Sequence, residues 1–324
     1  MFSSMKGTLL AAVLLGCASL PALADAPLTA QKPIVIPGGP GGFDYVRVDA
    51  RSHRVFATHK GTKTLAILDL QTETALPSVT VGMAQGVTID RRDNKIFLGD
   101  EEEHKVVILD YTTLKQTGEI PTSGPVDDVY YCRKNGMVYA DKDDGDAIWV
   151  IDPKTEKIVD TIPIPAAPEW IEYDRTSDRL YKNLKGNNTV QVIDPATNKI
   201  VKTFDTAPAT GPHGLAIDGK TQRLFSAGNN GKLVVIDINT GKVISTVDIE
   251  KGVDQIAFDP SNKRIYCACR GAISVVQETD DGAKLLGNVP VPKGSHTLAV
   301  DPGAHAVWTC YYDDHDSYFL KLTP

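Results

Sequence analysis

The sequence is short of most features that announce an activity. Cysteine is scarce, five in 324 residues, and beyond residue 24 only Cys132, Cys267, Cys269 and Cys310 remain. Their spacing is neither the framework of a disulfide-stapled domain nor a four-ligand zinc site. Cys267 and Cys269 lie two apart on one strand face and are badly placed to bridge each other. Buried free thiols are expected. There is no C-x-x-C-H, which excludes covalently attached haem, and no G-x-S-x-G, which excludes a serine nucleophile on a hydrolase elbow. Basic charge is not in excess: 34 Lys and Arg stand against 41 Asp and Glu, the wrong balance for nucleic acid as main partner. Beyond residue 24 no apolar run is long enough to cross a bilayer.

Residues 1–24 stand apart from the rest. One lysine, Lys6, precedes a stretch from Gly7 to Leu20 that is apolar apart from Thr8 and Ser19, and Pro21-Ala22-Leu23-Ala24 supplies an A-x-A site before Asp25. This pattern predicts a secretory signal cleaved after Ala24. It leaves a single domain, 25–324, in the periplasm or outside the cell. Leu14-Leu15-Gly16-Cys17 offers a rival reading as a lipobox, with Cys17 the lipidated anchor.

The remaining sequence repeats itself. The runs DYVRVD (44–49), QGVTID (85–90), DDVYYC (127–132), EWIEYD (169–174), HGLAID (213–218), DQIAFD (254–259) and HTLAVD (296–301) recur about every 42 residues. Each is followed by a short polar turn and an apolar–aromatic pair: Val55-Phe56, Ile96-Phe97, Val138-Tyr139, Leu180-Tyr181, Leu224-Phe225, Ile265-Tyr266 and Val307-Trp308. A third run closes on Asp, as in KVVILD and VQVIDP, and a fourth follows a turn such as Thr-Gly-Lys. Four short alternating runs per unit of this length predict an all-β, seven-bladed propeller of four-stranded antiparallel blades, with the seven aromatics packed between blades. The last unit lacks a fourth strand, and KPIVIPG (32–38) resembles the segment before blade seven. The N-terminal strand is therefore expected to complete the last blade, which removes two open sheet edges.

The segments RVFATH, KIFLGD and RIYCAC, with V-I-D-x-x-T-x-K turns after them, resemble the YVTN-type β-propeller repeat family of exported proteins. The resemblance covers residues 32–324, although no blade carries a literal Y-V-T-N. It implies the propeller fold and export. The wider superfamily of seven-bladed propellers includes lactonases, lyases and the propellers of quinoprotein dehydrogenases, and fold alone does not choose among them.

In a propeller the first strand of each blade lines the central channel. The residues opening these strands are Asp44, Gln85, Asp127, Glu169, His213, Asp254 and His296, all polar. They predict a polar ring at the channel mouth that binds a ligand. Carboxylates about 8 Å apart at an effective dielectric of about 20 repel by roughly 2 kcal/mol per pair. Raised carboxyl pKa values, protonated histidines or a divalent metal ion would relieve that repulsion. His213, Asp254 and His296, on consecutive blades, form the candidate metal triad, since imidazole with carboxylate suits transition metals. His213, His296 and Glu169 are the candidate acid–base groups.

Loops on the same face read DEEEH (100–104), DKDDGD (141–146) and DDHD (313–316), with His59-Lys60 in blade one, and His104 and His315 add imidazoles. DKDDGD has an EF-hand-like start but lacks the distal Glu. The opposite face carries basic turns such as RSHR, RRDNK and CRKNG, read here as decoration of the repeat. Three functions follow. The first is an exported monomer that binds a small molecule, a metal ion or a partner protein at the acidic top face. The second is a metal-supported lactonase-like hydrolase or lyase. The third, from superfamily analogy, is an accessory protein of a periplasmic oxidoreductase.

Overall fold

A computed structural model describes residues 26–324; the predicted leader, with its expected cleavage after Ala24 and the rival Cys17, lies outside the described residues. Seven antiparallel sheets follow one another around a ring. Blade one is built from Val46–Asp49, Arg54–His59, Thr64–Asp69 and Thr74–Thr80. Blades two to six span 84–121, 126–163, 168–205, 212–248 and 253–290. Helix is limited to one 3₁₀ turn, Lys60–Thr62, among the described residues.

The turns show why the sequence repeats. The Asp that ends the first strand accepts the backbone N–H two residues on, as Asp90 does from Arg92 (2.9 Å) and Asp218 from Lys220 (2.8 Å). These are Asx turns. The turn then needs one left-handed residue, supplied by His53, Asn94, Asp178, Gln222, Lys263 and His305 at φ 52–57°. Blade three has Cys132 in place of Asp. Gly136 takes the left-handed position there, and the Asn135 side-chain oxygen accepts the Met137 N–H at 3.1 Å.

The expected inter-blade aromatics are all buried: Phe56, Phe97, Tyr139, Tyr181, Phe225, Tyr266 and Trp308 are each at most 2% exposed. Each packs toward the next blade. Phe225 clusters with Val253, Ile256 and Ile265, and Trp308 with Val46, Val55 and Ala57. The hydroxyl of a buried tyrosine needs a partner, and the preceding turn provides it: Asn135 for Tyr139, Ser177 for Tyr181 and Asn262 for Tyr266. The four described cysteines are buried and free.

Blade seven contains Leu298–Asp301, Ala306–Tyr312 and Ser317–Thr323 from the C-terminal end. Ile34–Ile36 pairs antiparallel with the last of these, in the register Ile34↔Phe319, Val35↔Tyr318 and Ile36↔Ser317. Thr29–Ala30 extends the pairing to Thr323 and Leu322. The N-terminal segment therefore closes the ring, as the repeat pattern predicts. Leu28, 1% exposed, anchors it against Tyr266 and Val289 of blade six.

Candidate functional site

The first strand of every blade from two to six carries a bulge at one place. In blade two Ala84 pairs with Asp100 and Val87 with Leu98, so Gln85 and Gly86 together oppose the single residue Gly99. The same two-against-one arrangement holds Asp127-Asp128, Glu169-Trp170, His213-Gly214 and Asp254-Gln255. In blade one, Thr58 accepts the Asp44 N–H and donates its own to Tyr45, so both face one partner. Alternation would turn one residue of each pair away from the channel, and the bulge re-aims both. Asp44 with Tyr45, Glu169 with Trp170 and Asp254 with Gln255 accordingly line the same space. Strict alternation identified one column and missed the second.

The second column holds Tyr45, Gly86, Asp128, Trp170, Gly214, Gln255 and Thr297. Tyr45 and Trp170 stack across the channel. Gly86 is required because a Cβ there would stand 2.7 Å from the Asp127 carbonyl and the Val129 nitrogen. Gln255 ties three blades together: its Oε1 accepts the N–H groups of Val46 (3.2 Å) and Leu298 (3.1 Å), and its Nε2 donates to the Val46 carbonyl (2.9 Å).

Above this layer lies a cavity of about 150 Å³. Six of the seven predicted ring residues line it: Asp44, Gln85, Asp127, Glu169, His213 and Asp254. The seventh, His296, reaches it through Asp254, with Nδ1 2.6 Å from the Asp254 carboxylate. Lysines that sequence reasoning did not place in the ring temper its charge. Lys60 lies 2.6 Å from Glu101, 3.9 Å from Asp44 and 3.3 Å from the Gln85 carbonyl oxygen. Lys185 binds Glu169 at 2.6 Å and Asp144 at 2.9 Å. Below the ring, Lys182 is 1% exposed and lies between Asp141, to which it is bonded, and Asp128 at 3.6 Å. A signal for Lys182 existed in the second-strand run YKNLK, where other blades carry Ala57, Leu98, Ala140, Ser226, Cys267 and Thr309; Lys185 stands in a column that is polar in most blades, Lys60 among them.

The ring is nonetheless short of cations. Among the described residues Asp127, 7% exposed, has neither a hydrogen-bond donor nor an ion-pair partner for its carboxylate. Burial and the neighbouring Glu169 charge push its pKa well above the usual carboxylate range. Burial raises Asp44 to about 7 against the pull of Lys60, and raises Glu169 to about 7 against that of Lys185. The Gln85 side-chain nitrogen is buried with no acceptor.

The two ring histidines have different surroundings. His213 Nδ1 lies 2.7 Å from the Gly211 carbonyl, so it donates there, and Nε2 is left as an acceptor 3.3 Å from the Asn229 amide nitrogen. Glu169 is 3.6 Å from the same Nε2. His296 donates Nδ1–H to Asp254. Burial works against its charge, but the Asp254 bond and carboxylate hold its pKa above the ordinary imidazole value. His213 is thus engaged by Gly211 and Asn229 while Asp254 and His296 pair with each other, and no group of three or more His, Cys, Asp or Glu among the described residues is placed to share a metal ion.

The loop residues divide as well. Lys60 belongs to the site, but His59 does not. It is fully buried, stacked on Phe43 at 4.2 Å with Nε2 3.0 Å from Ser317 Oγ, and burial lowers its pKa to about 4. His104 occupies a left-handed turn position at φ 51°, and the His315 N–H is capped by Asp313.

No protein-family model matches the chain, and no curated protein matches it. Its fold is similar to a solved structure titled Kuenenia stuttgartiensis Hydrazine Synthase, with TM-score 0.75 and 14% sequence identity over 86% of this chain and 95% of that one. At that identity the likeness concerns the fold alone.

Proposed function

We propose that this chain is an exported propeller of the YVTN type that binds a small cation in the cavity at the top of its channel. The observation that carries the reading is Asp127, a buried carboxylate opening into a polar cavity with no cation of its own. Burying an unpaired charge costs several kcal/mol, and a bound cation removes that cost. The cavity volume corresponds to roughly five waters. It therefore suits a hydrated metal ion or a small amine and excludes a nucleotide. Asp44, Glu169 and Asp254 add negative charge from the wall, and because no three of these groups are placed to share a bare ion, the fit is to a cation that keeps its own waters or to an ammonium group.

Equilibrium dialysis of the mature protein against calcium, manganese, zinc and ethanolammonium tests the proposal. One equivalent of one cation is expected to bind, at least tenfold more weakly to Asp127→Asn. Absence of binding across the panel, or equal binding by the variant, would overturn the reading.

A second reading has its own observation. His296 is oriented by Asp254 through Nδ1, which leaves Nε2 to take a proton, as in a general base with its orienting carboxylate. This favours a lactonase-like hydrolase or a lyase. Turnover of a lactone panel that disappears in His296→Gln and persists in His213→Gln would support it.

A further inference from the structure

The bottom of the channel has a chemistry opposite to that of the top. Below the Tyr45–Trp170 layer it widens into a cavity of about 800 Å³ walled by Ala216, Ile217, Ala257, Phe258, Leu298 and Val300. A second hollow of about 270 Å³ joins it, and the two share Arg47, Val48, Tyr173 and Arg175. Arg91, Arg133, Tyr130 and Tyr131 complete the second hollow. Four arginines, one from each of blades one to four, therefore converge beside an apolar chamber.

Little within the protein satisfies them. Arg91 is bonded to Asp49, but its Nε is buried without a partner. Arg47 gives only its Nε–H, to the Val87 carbonyl at 2.7 Å. Arg133 and Arg175 have no side-chain hydrogen bond or ion pair among the described residues. Burial, followed by the positive charges of Arg175 and Arg91, lowers the pKa of Arg133. The carboxylates nearby do not balance this charge. Asp174 and Asp218 cap their own turns. Glu172 accepts from Trp170 Nε1 at 2.9 Å, and burial raises its pKa to about 7.

We propose that the bottom of the channel is a binding site for an amphipathic organic carboxylate, its head group held by Arg47, Arg133 and Arg175 and its apolar body lying in the chamber lined by Ala257 and Phe258. The guanidinium fork matches a carboxylate bidentately, tyrosine edges border the head group, and the chamber is large enough for a bicyclic ring or a ten-carbon chain. A ligand pocket of this kind, mostly apolar with a few convergent polar groups, is the usual form of a small-molecule site. The basic turns are therefore more than decoration of the repeat where their arginines meet.

Calorimetric titration with naphthalene-2-carboxylate and decanoate tests the proposal. Both are expected to bind the mature protein, at least tenfold more weakly to Arg133→Gln/Arg175→Gln, and to bind Asp127→Asn unchanged. Ala257→Phe, which fills the chamber and leaves the arginines in place, is expected to abolish decanoate binding while the protein melts cooperatively. The proposal is overturned if decanol binds as well as decanoate, or if acetate binds as well as either probe. It is also overturned if the double arginine variant binds normally, or if the protein sediments with anionic vesicles but ignores the free carboxylates.

Discussion

Tyr45 and Trp170, from blades one and four, lie face to face across the channel with ring centroids 4.9 Å apart and planes 9° from parallel. Trp170 lines the cavity above and the chamber below. This pair therefore forms the partition between an acidic half of the channel and an arginine-lined half. Trp170→Ala is expected to join the two spaces and to cost about 3 kcal/mol of stability, at the low end for a large-to-small change because the site is already beside a cavity. Faster hydrogen exchange at the Val46 and Leu298 amides, which Gln255 holds just beneath the pair, reports the opening.

The carboxyls of the channel make stability depend on pH in a definite direction. Asp44, Glu169, Asp141 and Glu172 are raised to about 7 by burial, and burial also holds Asp127 well above the usual carboxylate range. Unfolded carboxyls titrate near pH 4, so between about pH 4 and 7 the folded chain holds more protons than the unfolded one. Stability is then lost as pH rises through this window. His296, also raised, acts in the same sense. His59, lowered to about 4, acts against it. The melting temperature is expected to be a few degrees higher at pH 5.5 than at pH 8, and Asp127→Asn to shrink the difference. A melting temperature that climbs from pH 5.5 to 8 would contradict the assignment.

Lys182 carries a buried charge between two carboxylates. Lys182→Met leaves Asp128 and Asp141 facing each other unpaired, and a loss of about 3–5 kcal/mol is expected, as for other broken buried pairs. Adding Asp141→Asn should recover much of it. Urea denaturation of Lys182→Met, Asp141→Asn and the double variant beside the parent protein, read as a double-mutant cycle, separates charge from packing.

Ring closure rests on few residues. Ile36 is 1% exposed and packs with Phe319 and Trp308. Ile36→Asp places a carboxylate in that core and is expected to detach the N-terminal strand. Limited proteolysis should then cut between residues 26 and 42, while Val35→Asp, at a position 51% exposed, leaves the strand protected.

The architecture was legible because turns and core repeat together: the Asp at the first strand's end recurs in six blades and the buried aromatic in all seven, each with one mechanical purpose. The polar column from Asp44 to His296 was legible for the same reason. The second column was not, because alternation sends Trp170 and Gln255 to the blade interior and only the bulge turns them toward the channel. Lys182 escaped because it interrupts the repeat in a single blade, where a departure reads as noise, and Lys185 because its column is polar in most blades and mixed in charge. Arg91, Arg133 and Arg175 looked like solvated turns and Arg47 like one outward residue of an alternating strand, since no spacing along the chain reveals that the four lean toward one hollow.

Ile36 pairs with Ser317, so this strand finds its partner only after the blades between them have been made. Until then blade one presents an open flank and the closing segment dangles, however well the middle blades have formed. Velcro of this kind makes the arrival of blade seven the closing step of the ring's assembly. A chain that stops short of Ser317 therefore keeps two unpaired sheet edges, the feature that invites pairing with other chains.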